Sequence, residues 1–558
     1  MNGLMMDFPL TLAAIFRRAE HVFPRRAIVT RRADKTLHRY TYADFAGRAR
    51  RLARALRELG VGPADRVATL GWNHYQHLEA YFGIPLMGGV LHTLNLRLHP
   101  DELAFIVNDA EDRLALVDHG LLPLWERVAP QTCVRHTIIV DGPAADPANR
   151  LRQGSGEVRE GGVREGAGAE VHEYEALLAV AAPMDDGPDP DERSAAAMCY
   201  TTGTTGKPKG VLYSHRALVL HTFAASLSSC LGIGEHDIVT PVVPMFHANA
   251  WGLPYTAAML GAGLVMPGPH LDAASLVDLF ERERVTITAG VPTIWMGVLQ
   301  LLDANPGKYD LSALRSMIVG GSAIPQAMIE AFDRRHGLHV VHAWGMTEMT
   351  PLGTASYVPS DLTDASDEVK FRQRAKQGRP SPFVEIRARN FDGLVPWDGA
   401  TMGELEVRGP WVAAAYYNRD DCGDRFTDDG WFKTGDIVTI DERATVSIQD
   451  RAKDLIKSGG EWISSVALES ALMGHPAVAE AAVIPVASAK WDERPLAAVV
   501  LKPGASASPD ELRHFLEPFF PKFWLPAAFE FIDAIPRTSA GKFQKSALRA
   551  RFKDYQVA

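Results

Sequence analysis

Between Tyr200 and Gly210 the chain reads Tyr-Thr-Thr-Gly-Thr-Thr-Gly-Lys-Pro-Lys-Gly, with four threonines, three glycines and two lysines in one short run. Glycines let backbone N–H groups approach phosphate oxygens, hydroxyls add further donors, and lysines supply positive charge. That chemistry is a polyphosphate cradle, with Thr201, Thr202, Gly203, Thr204, Thr205, Gly206 and Lys207 as its contacts. The run is not a Walker A loop: two residues, not four, separate Gly203 from Gly206-Lys207, and Pro208 stands where a hydroxyl residue is needed. A plain polar turn would account for one or two of these residues but not for the whole stretch.

The stretch resembles the phosphate-binding signature of the adenylate-forming superfamily, which includes acyl-CoA synthetases, luciferases and the adenylation domains of peptide synthetases. The resemblance runs from the helix after Thr41 to Lys542 and is nearest to bacterial medium- and long-chain fatty acyl-CoA synthetases. Only the Gly/Arg/Glu stretch at about 150–170 falls outside it. The second signature of that superfamily, aromatic-Gly-x-Thr-Glu, corresponds to Trp344-Gly345-Met346-Thr347-Glu348. Trp replaces the more usual Tyr, which keeps an aromatic wall and loses the phenol hydroxyl. The resemblance implies that Thr201 and Glu348 associate with Mg²⁺, a hard cation that takes oxygen ligands, and that Thr347 lies near the α-phosphate. Gly320, Gly321 and Ser322 resemble the adenine-binding segment, Gly320 also facing the acyl group. Asp436 and Arg451 correspond to ribose contacts, and Lys457 is placed beside the nucleotide.

In Pro536-Arg537-Thr538-Ser539-Ala540-Gly541-Lys542 the resemblance makes Lys542 the catalytic lysine of adenylation, bridging the acid carboxylate and the α-phosphate. Asp450 corresponds to a hinge about which a small domain rotates between two half-reactions. In the second of these, Ser458, Gly459, Gly460 and Trp462 would line the tunnel for coenzyme A. Val242-Val243-Pro244-Met245-Phe246-His247-Ala248-Asn249-Ala250-Trp251 resembles the segment where a tryptophan gates the acyl tunnel, with His247 as a pocket wall. His247 has no second histidine or carboxylate at ligand spacing and is not read as a metal ligand. The cofactors and co-substrates implied are ATP, Mg²⁺ and coenzyme A, the partner a small carboxylic acid, and the assembly a homodimer. The alternatives are a short-chain, sulfur-containing (methylthiopropionate-like) or aryl acid as substrate, and a noncatalytic ATP-binding protein.

These residues need a scaffold that brings distant segments together. Thr41-Tyr42-Ala43-Asp44 reads as a capping box, followed by Phe45, Ala49, Leu52, Ala53, Leu56 and Leu59 at helical spacing up to Gly60. Short apolar runs at Val67–Leu70, Val285–Thr288 and Ser316–Val319 alternate with helical patterns, so the fold class is α/β with sheets layered by helices. Asp141–Arg193 reads as an exposed mobile loop. A strand-like Thr445–Ile448 before Asp450 marks a boundary: residues 1–449 form a large multi-subdomain ATP- and acyl-binding domain, and residues 450–558 a small mobile α+β lid carrying Lys542.

Composition closes off other classes. The 558 residues carry 58 Lys plus Arg against 68 Asp plus Glu, a net charge of −10, which gives no general attraction to nucleic acid or anionic membrane. Four cysteines, Cys133, Cys199, Cys230 and Cys422, stand without a CxxC pair and support neither a disulfide framework nor a cysteine zinc site. Cys199 is read as a small buried filler. No apolar stretch approaches the ~20 residues of a membrane span, and neither terminus reads as a targeting signal, so the expected location is the cytosol.

Overall fold

The computed structural model describes residues 1, 3–140, 158–159, 163–164, 170–187, 189–201, 207–458, 461–488, 490–537 and 543–557. Its frame is a pair of large sheets. A seven-stranded sheet runs, edge to edge, through Gly210–Ser214, Ala195–Tyr200, Val90–Thr93, Arg66–Leu70, Leu114–Asp118, His136–Val140 and Glu170–Glu173, parallel except for the first hairpin. A nine-stranded sheet has its parallel centre in Val340–Gly345, Ser316–Val319, Ile287–Gly290, Ile238–Pro241 and Gly263–Met266. The central strands are apolar on both faces because helices cover both.

Tyr42–Glu58 is the amphipathic helix the sequence predicts, and Thr41 and Asp44 form the capping box. Its apolar stripe packs on Tyr75–Leu86, in which every residue from Tyr75 to Pro85 is buried. A helix without a polar face belongs inside, and several of its polar groups find partners there. Glu79, for example, accepts hydrogen bonds from Arg48 and from the Tyr174 hydroxyl.

A third, five-stranded antiparallel sheet includes Gly403–Arg408, Phe432–Ile440 and Val446–Arg451, and its apolar side joins the main core. The chain from Ile456 onward builds its own sheet around the long hairpin Val478–Ser488 and Asp492–Leu501. Alternation along these strands fills two separate cores. Ala481 and Val483 face Leu468, Leu472, Leu512 and Leu516, whereas Ala482 and Ile484 face Ile535 and Leu548.

Two sequence readings need correction. The segment Asp141–Arg193 is not all loop: Glu170–Glu173 adds a parallel edge strand to His136–Val140, and Tyr174–Val180 is a helix whose Tyr174 and Leu178 enter the core. The run at Val285–Thr288 folds as a strand only from Ile287 to Gly290, because Arg284 takes φ 52° and the chain is still turning out of the preceding helix.

Candidate active site

The hairpin Ala195–Tyr200 and Gly210–Ser214 brings Thr201 and Lys209 to the end of its sheet. Its two ends are tied together, with the Thr201 N–H donating to the Lys209 carbonyl at 2.9 Å and the Lys209 N–H to the Thr201 hydroxyl at 3.2 Å. Thr202, Gly203, Thr204, Thr205 and Gly206 lie outside the described residues, as do Gly459, Gly460 and Lys542.

Thr201, Lys207, His247, Trp251, Gly320, Gly321, Trp344, Gly345, Thr347, Glu348 and Arg451 all line one cavity of about 340 Å³. Five cationic side chains reach its wall, Lys207, Lys209, Arg425, Arg451 and Lys453, against the acids Glu348 and Asp454. In a chain of net charge −10 this is a local reversal of sign, and it suits a polyphosphate. Burial pulls the Lys453 ammonium below its ordinary pKa. A second cavity of about 240 Å³ shares Gly321, Trp344, Gly345 and Arg451, and adds Ser322, Asp436 and Asp450.

Glycine is required at two points of this wall. A Cβ on Gly345 would lie 1.9 Å from the Pro351 carbonyl oxygen. One on Gly320 would lie 2.9 Å from the Ala343 oxygen and 3.1 Å from the Trp251 ring. Trp251 therefore stands against Gly320, and both line the cavity.

Trp251 is carried on an unusual backbone. Ala248, Asn249, Ala250 and Trp251 have φ of 37°, 40°, 51° and 55°, and Gly252 continues at 73°, a left-handed turn that costs roughly 1–2 kcal/mol per non-glycine residue. Contacts inside the fold hold it: the Cys199 thiol donates to the Asn249 Oδ1 at 2.6 Å, and the Thr93 hydroxyl reaches the same oxygen at 3.4 Å. Cys199 is buried, as expected, but it is not a mere filler.

The acidic residues of the site are firmly placed. Asp436, 1% exposed, receives the Trp344 indole N–H on Oδ2 at 3.0 Å and Arg451 on Oδ1 at 2.6 Å. The tryptophan that replaces the usual tyrosine thus brings its own polar handle. Glu348 is buried and accepts the Tyr416 hydroxyl on Oε1 at 2.6 Å, while the Tyr213 hydroxyl donates to the Thr347 carbonyl at 2.6 Å. Tyr416 also lies 4.9 Å beneath the Lys209 ammonium. Tyr416 and Arg425 were not found from the sequence; they stand in a loop region without a motif, more than 60 residues from the Glu348 and Thr201 segments.

Asp450 lies within the strand Val446–Arg451, where Oδ2 accepts the Ser465 N–H at 2.9 Å and the Ser465 hydroxyl at 2.5 Å. Next to it, Lys545 is buried against Glu469 at 2.7 Å and against the Ser465 hydroxyl. Burial pushes the Glu469 carboxyl up to about 7, Lys545 only partly offsetting it. Burial works against the Lys545 charge, but Glu469 and Asp450 outweigh it and the ammonium stays above its ordinary pKa. Burial likewise raises Asp450.

Not every predicted residue reaches the cavities. Ser458 is buried, with its hydroxyl accepting from Arg494 at 3.2 Å. Lys457 is exposed, and Trp462 sits on the adjoining strand Glu461–Ile463. None of the three lines either cavity, whereas Phe543, the residue after Lys542, lines both.

Comparison with known proteins gives one consistent result. The AMP-binding enzyme family model matches residues 16–417, and the AMP-binding enzyme C-terminal domain matches residues 467–542. The chain is similar to a long-chain-fatty-acid–CoA ligase of Thermus thermophilus, at 48% identity over 99% of this chain and 97% of that one. It is 42% identical to a 3-methylmercaptopropionyl-CoA ligase of Ruegeria pomeroyi, over 99% of both. With a medium-chain-fatty-acid–CoA ligase of Ectopseudomonas oleovorans it shares 40%, over 99% and 98%. Among solved structures, ATP-bound MatB from Rhodopseudomonas palustris matches with a TM-score of 0.80 at 27% identity, covering 98% of this chain and 99% of that one. With a cationic cavity lined by Thr201, Lys207 and Lys209, by the segment 344–348 and by Phe543, and with both family models matching, the chain belongs to the AMP-binding enzyme family, within the adenylate-forming superfamily.

Proposed function

We propose that this acid–thiol ligase activates a medium- or long-chain fatty acid as its acyl-adenylate and passes the acyl group to coenzyme A. The reading is supported by the similarity, over 99% of the chain, to the long-chain- and medium-chain-fatty-acid–CoA ligases, and by one cavity whose wall carries five cations together with His247 and Trp251. In the first step the substrate carboxylate attacks the α-phosphorus of ATP and pyrophosphate leaves; in the second the coenzyme A thiol attacks the acyl carbon and AMP leaves.

The roles divide as follows. Thr201 to Lys207, with Lys209 and Arg425, hold the polyphosphate. Gly321, Ser322 and Trp344 flank the adenine, Asp436 and Arg451 bind the ribose, and Gly345 and Thr347 lie along the nucleotide. Lys542 neutralises charge at the α-phosphate and the acid carboxylate, a role supported by Phe543, the next residue in the chain, lining the cavity. The Glu348 carboxylate and the Thr201 hydroxyl form the hard oxygen set that suits Mg²⁺, which would neutralise phosphate charge there. Residues 1–449 act as the nucleotide and acyl domain and 450–558 as the lid, turning at Asp450. Lys457, Ser458, Gly459, Gly460 and Trp462 serve the thioester step, after the lid has turned and brought the 456–463 hairpin to the site. His247 and Gly320 complete the acyl wall. A cytosolic homodimer fits the resemblance to bacterial relatives.

A second reading is favoured by one feature. The Trp251 ring packs directly against Gly320 on the cavity wall, a bulky side chain at that place suits a small acid, and a methylthio acid is the type of substrate named for the Ruegeria relative. The test is AMP release by the purified protein, with and without coenzyme A, across propionate, methylthiopropionate, octanoate, palmitate and cinnamate, alongside Lys542→Ala. Coenzyme A-dependent AMP formation that peaks with octanoate or palmitate and is lost in the variant supports the fatty-acid reading. A peak at methylthiopropionate replaces it with the second reading, and no AMP with any acid overturns both.

A further inference from the structure

On the seven-stranded sheet, at the edge opposite the phosphate hairpin, three side chains converge that the ligase reaction does not use. His136 Nδ1 lies 3.2 Å from His172 Nε2 and 3.4 Å from Glu170 Oε2, and the last two atoms are 3.8 Å apart. His136 and Glu170 are register partners on the parallel strands His136–Val140 and Glu170–Glu173, and His172 lies two residues further along the same face. This is the sole group of three or more His, Cys, Asp or Glu side chains among the described residues whose ligand atoms lie close enough together to share a cation.

We propose that His136, Glu170 and His172 form a binding site for a borderline divalent transition cation, Zn²⁺ foremost, separate from the nucleotide site. The point equidistant from the three atoms lies in their plane at about 2.0 Å from each, and a small step out of the plane reaches the ~2.0–2.1 Å bonds and pyramidal arrangement of a four-coordinate Zn²⁺ site. Two imidazoles with one carboxylate select Zn²⁺, Ni²⁺ or Cu²⁺ over Mg²⁺ and Ca²⁺, which prefer all-oxygen shells. Glu170 is half-exposed and the histidines are largely covered, so a water can enter from the open side as the fourth ligand.

The placement gives the ion a structural job. Glu170–Glu173 is an edge strand, paired on one side only, and 34 positions of sequence separate its first residue from His136. An ion held from both strands fastens that edge and closes the long connection. The phosphate hairpin strand Ala195–Tyr200 is five strand spacings away, about 24 Å at the usual ~4.8 Å interval, so occupancy leaves the ligase reaction itself untouched.

The test uses the full-length chain stripped of metal with a chelator, titrated calorimetrically with Zn²⁺ and separately with Mg²⁺, and probed with Co²⁺ for the intense visible absorption of a tetrahedral site. The expected result is one equivalent of Zn²⁺ bound at micromolar concentration, unaffected by excess Mg²⁺, with a higher Tm in its presence. His172→Ala abolishes binding, and Glu170→Gln, an exposed and isosteric change, weakens it by roughly tenfold or more while leaving the metal-free Tm unchanged. Absence of stoichiometric Zn²⁺ binding, or binding unaltered in Glu170→Gln and His172→Ala, overturns the proposal.

Discussion

Replacing Trp344 with Phe keeps an aromatic face on the cavity, trims the bicyclic system to one ring and removes the indole N–H that donates to Asp436 Oδ2 at 3.0 Å. Its acceptor is a carboxylate 1% exposed, and a hydrogen bond to a charged group in such surroundings contributes about 1.5–3 kcal/mol. If Asp436 binds the ribose, that loss falls on ATP in the ground and transition states alike, and KM for ATP rises with kcat little changed. At 1.4 kcal/mol per decade the rise is about 10- to 150-fold. The assay is pyrophosphate release at saturating acid and coenzyme A with ATP varied, alongside thermal melts to separate misfolding from misplacement. A cycle with Asp436→Asn isolates the route: the tryptophan acts through the carboxylate, so the double variant is little worse than Asp436→Asn alone. A KM for ATP within about twofold of the parent, or two effects that simply add, would refute the reasoning.

Three further outcomes can be checked on the same preparation. Tyr416→Phe removes the hydroxyl that holds Glu348 and is expected to raise the Mg²⁺ concentration for half-maximal activity by about tenfold, from ~1–2 kcal/mol of lost positioning; pyrophosphate release against Mg²⁺ measures it. Lys545→Met leaves Glu469 buried without its cation and should lower stability by about 3–5 kcal/mol at pH 8 and by less at pH 6, where Glu469 takes up a proton, as read by urea unfolding. The third concerns the sign of pH dependence: Glu469 has a pKa of about 7 in the folded chain, above its ordinary 4.5, so the folded state binds more protons between those values. Parent stability measured relative to Glu469→Gln should therefore fall as pH rises from about 4.5 to 7, by at most about 3 kcal/mol; a relative stability that rises over that window rules the assignment out.

What the sequence could reveal depended on how local each cause was. The helix Tyr42–Glu58 was legible because its cap and apolar stripe lie within its own residues. The strand Glu170–Glu173 was not, since Glu-Val-His-Glu has too little apolar character to mark it, and it exists only by pairing with His136–Val140. The same rule divides the site. Thr201, Gly345 and Glu348 announce themselves in short motifs, yet the bond from Trp344 to Asp436 spans 92 residues and the one from Tyr416 to Glu348 spans 68. Motif reading saw the missing phenol of Trp344 as a loss, whereas the fold turns the substitution into a donor. The region from Ile456 onward reads well as a separate unit because alternation along Val478–Ser488 supplies both of its cores.

The left-handed turn at Ala248–Trp251 has a consequence for how such an enzyme could change its diet. Four residues are held against their own conformational preference with Cys199 and Thr93 bonded to Asn249, so side chains that do not themselves line the cavity help to place Trp251. With Trp251 on the acyl wall as proposed, the length of acid admitted is written partly outside the pocket. A lineage could retune its substrate by exchanging one methyl or thiol on the Ala195–Tyr200 or Val90–Thr93 strand, leaving every atom that handles ATP where it was.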